Sequence, residues 1–213
     1  MTAKSFPPVV FVVDDDESVR SSLRFLLRTA GIESRAYGSA PEFLKSYDPA
    51  QPGCLVLDVR MPGMSGLELQ QELNLRGAII PVIFITGHGD IPMAVEAMQH
   101  GACDFLQKPF RDEDLIERIQ RALAKDAQAR AGLEGHKAIR ACLESLTPRE
   151  RDVLALMIRG KPNKVMAHEL GVSQRTIEIH RARVMEKSGA ASLAELVRMV
   201  MDVEPGLGPP SQS

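Results

Sequence analysis

The amino-acid sequence predicts an α/β fold for its first half and an all-α fold for its second half. In the first half, short apolar runs alternate with segments of helical periodicity, a pattern typical of a parallel sheet with helices on both faces. In the second half only short helical patterns occur, and a polar, Ala-rich stretch separates the two halves. We therefore expect a five-stranded, doubly wound parallel domain, a helical linker and a four-helix domain.

Five apolar runs predict the strands. The clearest is the run of four apolar residues from Cys54 to Leu57, which leads directly into Asp58 and is soon followed by the turn residues Pro62 and Gly63. A continuous apolar run bounded by turn signals indicates a strand that is buried on both faces. The other four strands are predicted at residues 9–13, 32–36, 81–86 and 104–106.

Capping signals and apolar spacing predict the helices of this domain. Two capping boxes, Ser39 with Glu42 and Ser65 with Glu68, mark the starts of two helices. Apolar residues at helical spacing predict the other three. These three helices are expected between Glu17 and Gly31, at 91–100 and at 112 to about 125.

Composition excludes several classes of protein. No apolar run approaches the roughly 20 residues that a membrane span requires, and residues 1–8 lack the basic and apolar regions of a signal peptide. Cys54, Cys103 and Cys142 are odd in number and far apart, so they form neither a metal pattern nor a disulfide framework. We expect reduced thiols, a cytoplasmic protein and no membrane contact.

The net charge of −2 conceals a difference between the halves. Residues 1–126 contain 13 Lys and Arg against 18 Asp and Glu, whereas residues 145–202 contain 10 against 7. An acidic first half and a mildly basic second half suggest two domains with different partners. The basic excess is small, so it is weak support for nucleic-acid binding by itself.

Polar residues directly follow four of the predicted strands. Asp14 and Asp15 follow the first, Asp58 the third, Thr86 the fourth and Lys108 the fifth. The carboxyl ends of parallel strands meet at one edge of a sheet, so these side chains should converge. Carboxylates that repel one another favour a hard cation such as Mg²⁺. Asp, Mg²⁺, Lys and Thr together would make a phosphoryl-accepting site.

Each of these residues also has an ordinary structural explanation. The acidic run at 14–17 could be a solvated helix start favoured by the helix dipole. Thr86 could be a turn residue, Lys108 a surface charge and Phe105 a core residue. Their common position directly after strands favours one shared site over four coincidences.

The second half predicts a helix-turn-helix. Thr147, Pro148 and Glu150 form a strong helix start. A short helix at 163–170 and a third helix at about 174–188, capped by Ser173, follow it, and Ser192 caps a fourth. Two helices joined by a short turn are typical of a helix-turn-helix, although a plain helical bundle would show the same pattern.

The faces of the third helix differ. At 100° per residue, Ile177, Val184 and Ser188 fall on the inner face, and Arg181 falls toward it and would have to extend to solvent. The residues predicted to face outward are Arg175, Ile179, Ala182, Arg183 and Glu186, with Glu178 at the edge. An outward Ile179 could contact a thymine methyl group, and Arg175, Arg183 and Lys187 could reach phosphates.

The motifs of residues 8–126 resemble the receiver domain of two-component response regulators, which has a flavodoxin-like fold. The resemblance covers the whole first domain, and the segment at 91–98 is similar to the FixJ-type subgroup. The matching motifs are Val13-Asp14-Asp15-Asp16, Leu57-Asp58-Val59-Arg60-Met61-Pro62-Gly63, Thr86-Gly87-His88-Gly89-Asp90 and Lys108-Pro109-Phe110.

This resemblance implies roles for the polar residues. Asp58 would accept a phosphoryl group from the phosphohistidine of a sensor histidine kinase. Asp15, Asp58 and the backbone carbonyl of Arg60 would bind Mg²⁺ directly, and Asp14 would act through water. Thr86 and Lys108 would hold the phosphoryl group, and the Lys108–Pro109 bond would be cis. Phe105 occupies the aromatic switch position, where, lacking a hydroxyl group, it could only swing and pack.

Residues 145–202 resemble the LuxR/NarL-type DNA-binding domain. The matching segments lie at 146–154, 163–164, 170–173 and 176–181. By this resemblance Glu178, Ile179 and Ala182 face bases, while His180 and Arg183 lie near the DNA backbone. Glu178 stands where some relatives carry Lys, which leaves the base preference open; a Glu could accept from cytosine N4.

The sequence therefore predicts a FixJ-type response regulator that is not an enzyme beyond its own phosphorylation and dephosphorylation. We expect a receiver at 8–126, a helical linker at 127–144, a DNA-binding domain at 145–202 and a disordered tail at 203–213. The partners would be a sensor histidine kinase, operator half-sites in double-stranded DNA, a second copy after phosphorylation and RNA polymerase.

Two other classes of function remain open at this point. A Mg²⁺-dependent phosphohydrolase of the haloacid-dehalogenase type could use Asp58 as nucleophile, but it needs a second Asp two residues on, where this chain has Arg60. A constitutive DNA-binding protein would not need the acidic site at all.

Overall fold

The structure, a computed structural model, describes residues 6–87 and 91–204. The chain divides into two compact units at Arg130 and Ala131. The described residues include no helix long and apolar enough to cross a membrane. The predicted motif residues His88–Asp90 lie outside the described residues, as do residues 205–213 of the tail predicted at 203–213, whereas Val203 is the last residue of a helix.

The first unit is built on a five-stranded parallel sheet. Its strands lie in the order β2-β1-β3-β4-β5, and every neighbouring pair is parallel. The strand bounds are β1 Val9–Val13, β2 Ser34–Tyr37, β3 Gly53–Asp58, β4 Val82–Thr86 and β5 Asp104–Gln107. The predicted five-stranded α/β fold is confirmed.

The central strands are buried on both faces, as their apolar runs predict. The helices that cover them are α1 Glu17–Thr29, α2 Ala40–Ser46, α3 Gly66–Leu75, α4 Ile91–Gln99 and α5 Asp112–Ser145. Phe11 and Val13 of β1 pack into one hydrophobic layer, with Phe43 of α2 and Leu69 of α3. The alternate residues of β1 pack into the other layer, whose helical members come from α1 and α5. Burial of two opposite faces requires helices on both sides of the sheet.

Helix capping follows the sequence with one correction. The Ser65–Glu68 box is complete. Ser39 accepts from the Glu42 amide, but the Glu42 carboxylate accepts from the Gly38 amide at 2.8 Å and not from that of Ser39. The predicted reciprocal box at Ser39 is therefore wrong in its second half, because the preceding turn brings Gly38 closer to the carboxylate.

Strand β2 begins two residues later than predicted. The amide of Ile32 donates to the Leu27 carbonyl at 2.8 Å and thereby closes the end of α1. Gly31 adopts a left-handed φ of 71° at this turn, which glycine tolerates without steric cost. Ile32 therefore belongs to the turn that ends the helix, and the ladder starts only at Ser34.

Helix α5 continues well beyond its predicted end. The sequence suggests a helix to about residue 125 followed by a helical linker, and the structure shows one helix from Asp112 to Ser145. Gly132 and Gly135 lie inside it, where each costs about 1 kcal/mol relative to Ala. The surrounding Ala, Arg and Leu residues favour helix strongly enough to offset that cost.

The second unit contains the four predicted short helices. They are α6 Pro148–Ile158, α7 Asn163–Leu170, α8 Gln174–Ser188 and α9 Leu193–Val203. The capping box of Thr147 and Glu150 is complete, and Ser173 and Ser192 cap α8 and α9. Their apolar faces share one core with the end of α5, including Leu143, Val153, Met166, Ile177, Val184 and Leu196.

The three cysteines are free thiols, as the sequence predicts. Cys54 is fully buried in β3, and burial raises the pKa of its thiol. A buried thiol with a raised pKa is protonated and unreactive at neutral pH.

Candidate functional site

An acidic pair and a lysine meet at the carboxyl edge of the sheet. The Nζ of Lys108 donates to Asp14 Oδ2 at 3.0 Å and to Asp58 Oδ1 at 2.9 Å. Asp14 is 3% exposed as a residue, while the side chains of Asp58 and Lys108 are 13% and 30% exposed. The site is therefore a partly open pocket in which one ammonium group serves two carboxylates.

Sheet topology brings these three residues together. Asp14 follows β1 and Asp58 ends β3, and the two strands pair directly, with Val13 opposite Leu57. Lys108 follows β5, and its amide donates to the Thr86 carbonyl at 2.7 Å. The Lys108–Pro109 peptide bond is cis, as the resemblance implies. The side chains of Asp14, Asp58 and Lys108 are thus in contact, and Thr86 adjoins Lys108 through the backbone.

The loop after Asp58 is shaped around that residue. The Arg60 amide donates to Asp58 Oδ2 at 2.8 Å, so each carboxylate oxygen has a partner. Gly66 packs closely against the strand end, because a Cβ at that position would lie 2.2 Å from the Asp58 carbonyl oxygen. This steric role of Gly66 could not be predicted from the sequence, because it depends on a tertiary contact that no local pattern encodes.

The electrostatics of the site favour a bound cation or a proton. Burial raises the pKa of Asp58, and the neighbouring Asp14 carboxylate raises it further, although the hydrogen bond from Lys108 acts in the opposite direction. Burial alone would lower the pKa of Lys108, but its bonds with Asp58 and Asp14 outweigh this and raise it. Asp58 is therefore a carboxylate that its surroundings only partly neutralise.

Asp15 is the most exposed of the three predicted carboxylates. The part of the chain that the structure describes contains no group of three His, Cys, Asp or Glu side chains that could hold a metal ion. Mg²⁺ commonly binds one or two protein carboxylates and keeps several waters. Two carboxylates and the Arg60 carbonyl are oxygen donors of the kind it prefers, so the donor set fits Mg²⁺ without a third acidic ligand.

Thr86 and Phe105 lie on neighbouring strands. Thr86 is 3% exposed and donates from its hydroxyl group to the Gly87 carbonyl at 3.3 Å. Phe105 is 41% exposed and stands opposite Phe84 in the β4–β5 ladder. The alternative explanation of Phe105 as a core residue is therefore wrong, because the side chain is exposed at the edge strand of the sheet.

An open cavity of about 810 Å³ lies beside the site. Residues of α1 line one side of it and the loop that starts at Lys108 lines the other. Phe25, which is 63% exposed, is one of the large apolar side chains that line this cavity. The sequence analysis did not single out Phe25, because it lies outside the apolar face of α1 that helical spacing predicts.

In the second unit, α8 presents the outward face that the sequence predicts. Ile177 and Val184 are buried, whereas Ile179 is 48% exposed. The other predicted outward residues, Arg175, Glu178, Ala182, Arg183 and Glu186, are all exposed.

Two polar residues of α8 lie between its faces. His180 is half-buried, and its Nδ1 is buried without a hydrogen-bond partner among the described residues. Arg181 extends to Asn163 of α7, where it donates to the side-chain oxygen at 3.0 Å. Arg181 thus reaches past the inner face, as its position on the helix predicts, and joins the two helices of the helix-turn-helix.

Lys187, the last residue predicted to reach a phosphate, pairs with a residue of α6. Its Nζ donates to Glu150 Oε2 at 2.6 Å and to the Ser145 carbonyl at 3.0 Å. Glu150 is 2% exposed, and the bond from Lys187 lowers its pKa to about 2. The ammonium group thus joins α8 to α6 through a buried carboxylate, while the Lys187 side chain stays 34% exposed.

Comparison with known proteins defines the class to which this architecture belongs. Residues 10–120 match the response regulator receiver domain, and residues 144–200 match the luxR family of bacterial regulatory proteins. The chain belongs to the response regulators of the NarL/FixJ family, with a receiver domain and a LuxR-type DNA-binding domain.

Relatives similar over nearly the whole chain give a more particular picture. The chain is 48% identical to the transcriptional regulatory protein FixJ of Azorhizobium caulinodans, over 90% of this chain and 91% of that protein. It is also 48% identical to nodulation protein W of Bradyrhizobium diazoefficiens, over 93% of this chain and 87% of that protein. Among solved structures it is similar to the response regulator StyR, with a TM-score of 0.83, 49% identity and coverage of 92% of this chain and 98% of that one.

Proposed function

We propose that Asp58 accepts a phosphoryl group and that its phosphorylation controls binding of the second unit to DNA. The observation that carries the proposal is the geometry at the end of β3. There, a partly open carboxylate shares the ammonium group of Lys108 with a second, buried carboxylate. A carboxylate so placed is a nucleophile with a cation ready beside it.

The chain's own groups have distinct parts in this transfer. An Asp58 carboxylate oxygen attacks phosphorus, an acyl phosphate bond forms, and the bond between phosphorus and the donor breaks. Lys108 then exchanges its bond with Asp58 for the phosphoryl oxygens, and the Thr86 hydroxyl donates to another. Asp15, Asp58 and the Arg60 carbonyl would hold Mg²⁺, with Asp14 acting through water. When bound, Mg²⁺ would neutralise the negative charge on the phosphoryl oxygens.

The phosphodonor is a sensor histidine kinase, and the open cavity beside Lys108 is the surface it would occupy. Phe25 offers an exposed aromatic ring there, and Arg28 stacks over it with 5.5 Å between its guanidinium carbon and the ring centroid. A donor protein that covers this surface would hold its phosphohistidine close to Asp58. The exchange proceeds in the cytoplasm without any further catalytic activity of the chain.

Two residues couple the acceptor to the rest of the receiver. The Thr86 carbonyl accepts from the Lys108 amide, so movement of Thr86 toward the phosphoryl group also acts on β5. Phe105, exposed on β5 and without a hydroxyl group, can only repack. Phosphorylation would favour a second receiver conformation in which both have shifted, and that conformation dimerises or releases the DNA-binding domain.

Helix α8 is the element proposed to enter the major groove of operator half-sites. Glu178, Ile179 and Ala182 would face bases, while Arg175, His180 and Arg183 would lie near phosphates. Lys187, which pairs with Glu150 at the other end of α8, is the remaining residue proposed to reach a phosphate. A dimer would place two copies of α8 on paired half-sites, where the regulator could meet RNA polymerase.

Intact mass after incubation with Mg²⁺ and acetyl phosphate tests the phosphoacceptor. We expect one phosphoryl adduct on the wild type and none on Asp58→Asn. Phosphodonor-driven DNA binding by Asp58→Asn would contradict the proposal. DNA binding that is unchanged by the donor and by the substitution would identify a constitutive DNA-binding protein. Repeated turnover of a phosphate ester would identify a phosphohydrolase.

Operator selection with the phosphorylated chain tests the DNA surface. Arg183→Gln should weaken binding to every sequence and reduce the salt slope by about 1, whereas Ile179→Ala should change the preferred sequence. Arg198→Gln, an exposed arginine on α9, is the matched control. Equal effects of Arg183→Gln and Arg198→Gln would remove α8 from the proposed interface.

A further inference from the structure

We propose that Arg20 is a positioning residue for the acidic loop 14–16 and, through it, for Mg²⁺ binding; this inference rests on the proposed function. Arg20 lies in the second turn of α1 and its side chain is only 15% exposed. One guanidinium nitrogen, Nη1, donates to the Asp14 backbone carbonyl at 2.6 Å. The other, Nη2, forms an ion pair with Glu17.

The bond from Arg20 holds a part of Asp14 that no other described contact holds. The Asp14 amide donates to the Tyr37 carbonyl at 3.3 Å. Its carboxylate accepts from the Asp16 amide at 2.9 Å and from Lys108 at 3.0 Å. The carbonyl belongs to the peptide plane shared with Asp15. Fixing that plane sets the direction in which the Asp15 side chain leaves the backbone, and Asp15 is the proposed direct ligand.

The guanidinium group of Arg20 also contacts the loop between β2 and α2. A Cβ placed on Gly38 would lie 3.6 Å from the Arg20 Cζ, so the side chain packs against the backbone between β2 and α2. Arg20 therefore connects α1, the loop after β1 and the loop after β2. The planar fork of Arg20 serves the carbonyl and the carboxylate from two separate nitrogens, whereas a lysine would have to serve both oxygens from a single nitrogen.

Arg20 and Lys108 act on the acidic loop in different ways. Lys108 occupies carboxylate oxygens and must give them up when a ligand binds. Arg20 occupies a carbonyl oxygen and leaves the carboxylates available. Because Glu17 pairs with Arg20, the two together add no net charge to the site. The positioning effect can therefore be separated from the effect of charge by changing both residues.

Calorimetric titration of the full chain with Mg²⁺ tests the inference. We expect Arg20→Met to raise the dissociation constant for Mg²⁺ about ten-fold, the lower end of what loss of an outer-shell partner produces. The charge-matched double variant Glu17→Gln with Arg20→Met should show the same rise, and Arg20→Lys a smaller one. Arg24→Met, an exposed arginine one turn further along α1, should leave the affinity unchanged.

Phosphorylation by acetyl phosphate gives the second measurement. In Arg20→Met the Mg²⁺ concentration for half-maximal rate should rise as much as the dissociation constant, while the rate at saturating Mg²⁺ stays near that of the wild type. A merely structural role would lower the maximal rate or the yield of folded protein without this separation. Unfolding of the three Arg20 variants, detected by circular dichroism, would overturn the assignment by showing that Arg20 serves the fold.

Unchanged Mg²⁺ affinity in both Arg20→Met and the double variant overturns the inference while leaving the proposed function intact. A rise in the single variant that disappears in the double variant also overturns it, since charge would then be the cause. A wild type that neither binds Mg²⁺ nor forms the adduct overturns the proposed function itself, and this inference with it.

Discussion

Strand β3 has a charged cluster at each end, and the two clusters are built in opposite ways. At its first residue, the Gly53 amide donates to Asp126 Oδ2 at 2.9 Å, and the same oxygen accepts from Arg130 Nε at 2.8 Å. At its last residue, Asp58 shares one ammonium group with Asp14. Both ends bury an acidic side chain, yet only one of them offers chemistry.

At the Gly53 end of β3, the planar guanidinium group of Arg130 binds several acceptors at once and closes the cluster to solvent. The Nη1 and Nη2 groups of Arg130 donate to the carbonyls of Pro49 and Gln51 at 2.8 and 3.0 Å. Asp126 is 1% exposed, so neither water nor a ligand competes for its ion pair. A planar guanidinium whose three nitrogens are all engaged leaves nothing to exchange.

The second end is open because a lysine serves it. One ammonium group can neutralise the charge of only one of two carboxylates, and the pKa of Asp58 stays above its ordinary value, mainly because of burial. The carboxylate proposed to be reactive is thus the one whose cation is a single, partly exposed ammonium group. The carboxylate with a purely structural role is the one whose cation is a guanidinium group that also donates to backbone carbonyls.

Arg130→Met should lower the stability of the first unit more than any other substitution at either end of β3. It leaves Asp126 as a buried carboxylate without a cation, and breaking such a pair costs about 3 to 5 kcal/mol. Hydrogen exchange at β3 amides would measure this as faster opening of the first unit. Arg121→Met is the matched control, because Arg121 pairs with Glu117 on the same helix at the same spacing but with both side chains more than half exposed. An effect no larger than that of the control would contradict the distinction between the two ends.

The glycines at the two ends provide a second test. A Cβ on Gly53 would lie 2.0 Å from the Val9 carbonyl oxygen, and one on Gly66 would lie 2.2 Å from that of Asp58. Gly53→Ala and Gly66→Ala should each destabilise the first unit by about 2 kcal/mol or more, because backbone must move. Chemical denaturation would measure both losses. Only Gly66→Ala should also slow phosphorylation by acetyl phosphate.

Gly135→Ala is the control for both glycine substitutions. Nothing lies within 4 Å of a Cβ at that position of α5, so the helix should gain up to about 1 kcal/mol. Equal loss of phosphorylation in Gly53→Ala and Gly66→Ala would mean that the two ends of β3 are not independent.

The open end could be predicted from the sequence and the closed end could not. Asp58, Thr86 and Lys108 each lie where a strand ends, so parallel topology alone places them at one edge. Asp126 and Arg130 form an ordinary i,i+4 pair on a polar helix, which usually indicates a solvated face. Their burial depends on the loop at 47–52 folding over them, and no local pattern encodes that.

The same limit explains why the ion pair of Lys187 was not predicted. Its charge and its place on α8 indicate a DNA contact, and Glu150 is fully explained by its capping box with Thr147. The ion pair between them joins residues 37 positions apart. Outward and inward faces of α8 were correctly assigned by periodicity, but a long side chain near the edge of a face can turn to either side.

The pair of Glu150 and Lys187 is an intermediate case, with a 2% exposed carboxylate and a lysine side chain that is 34% exposed. The pKa of Glu150 falls from 4.5 to about 2, chiefly through its bond with Lys187. A lowered pKa stabilises the folded state above pH 4.5, and this stabilisation is lost as the pH falls toward 2. Because water screens the lysine, we expect a loss of about 1 kcal/mol.

Hydrogen exchange at the amides of Val153 and Val184 would follow this loss in the intact chain. Lys187→Met should flatten the dependence on pH between 4.5 and about 2, because the carboxylate then titrates closer to its ordinary value. Persistence of the full wild-type slope in Lys187→Met would show that the Thr147 amide alone lowers the pKa of Glu150.

Asp58→Asn should change the stability of the first unit less than any substitution above other than the controls. Its effect should also be opposite in sign to that of Asp126→Asn at the other end of β3. Because the pKa of Asp58 is raised, its ionisation at neutral pH weakens the folded state. Asp58→Asn should therefore stabilise the first unit, by less than about 1 kcal/mol because the side chain is partly solvated. Asp126→Asn should destabilise it, since Arg130 loses its anion while staying buried. Thermal unfolding at pH 7 without divalent cations compares the two variants directly. If both variants lowered the stability, the Asp58 carboxylate would stabilise the fold as the Asp126 carboxylate does. The reactivity proposed for Asp58 would then lose its electrostatic basis.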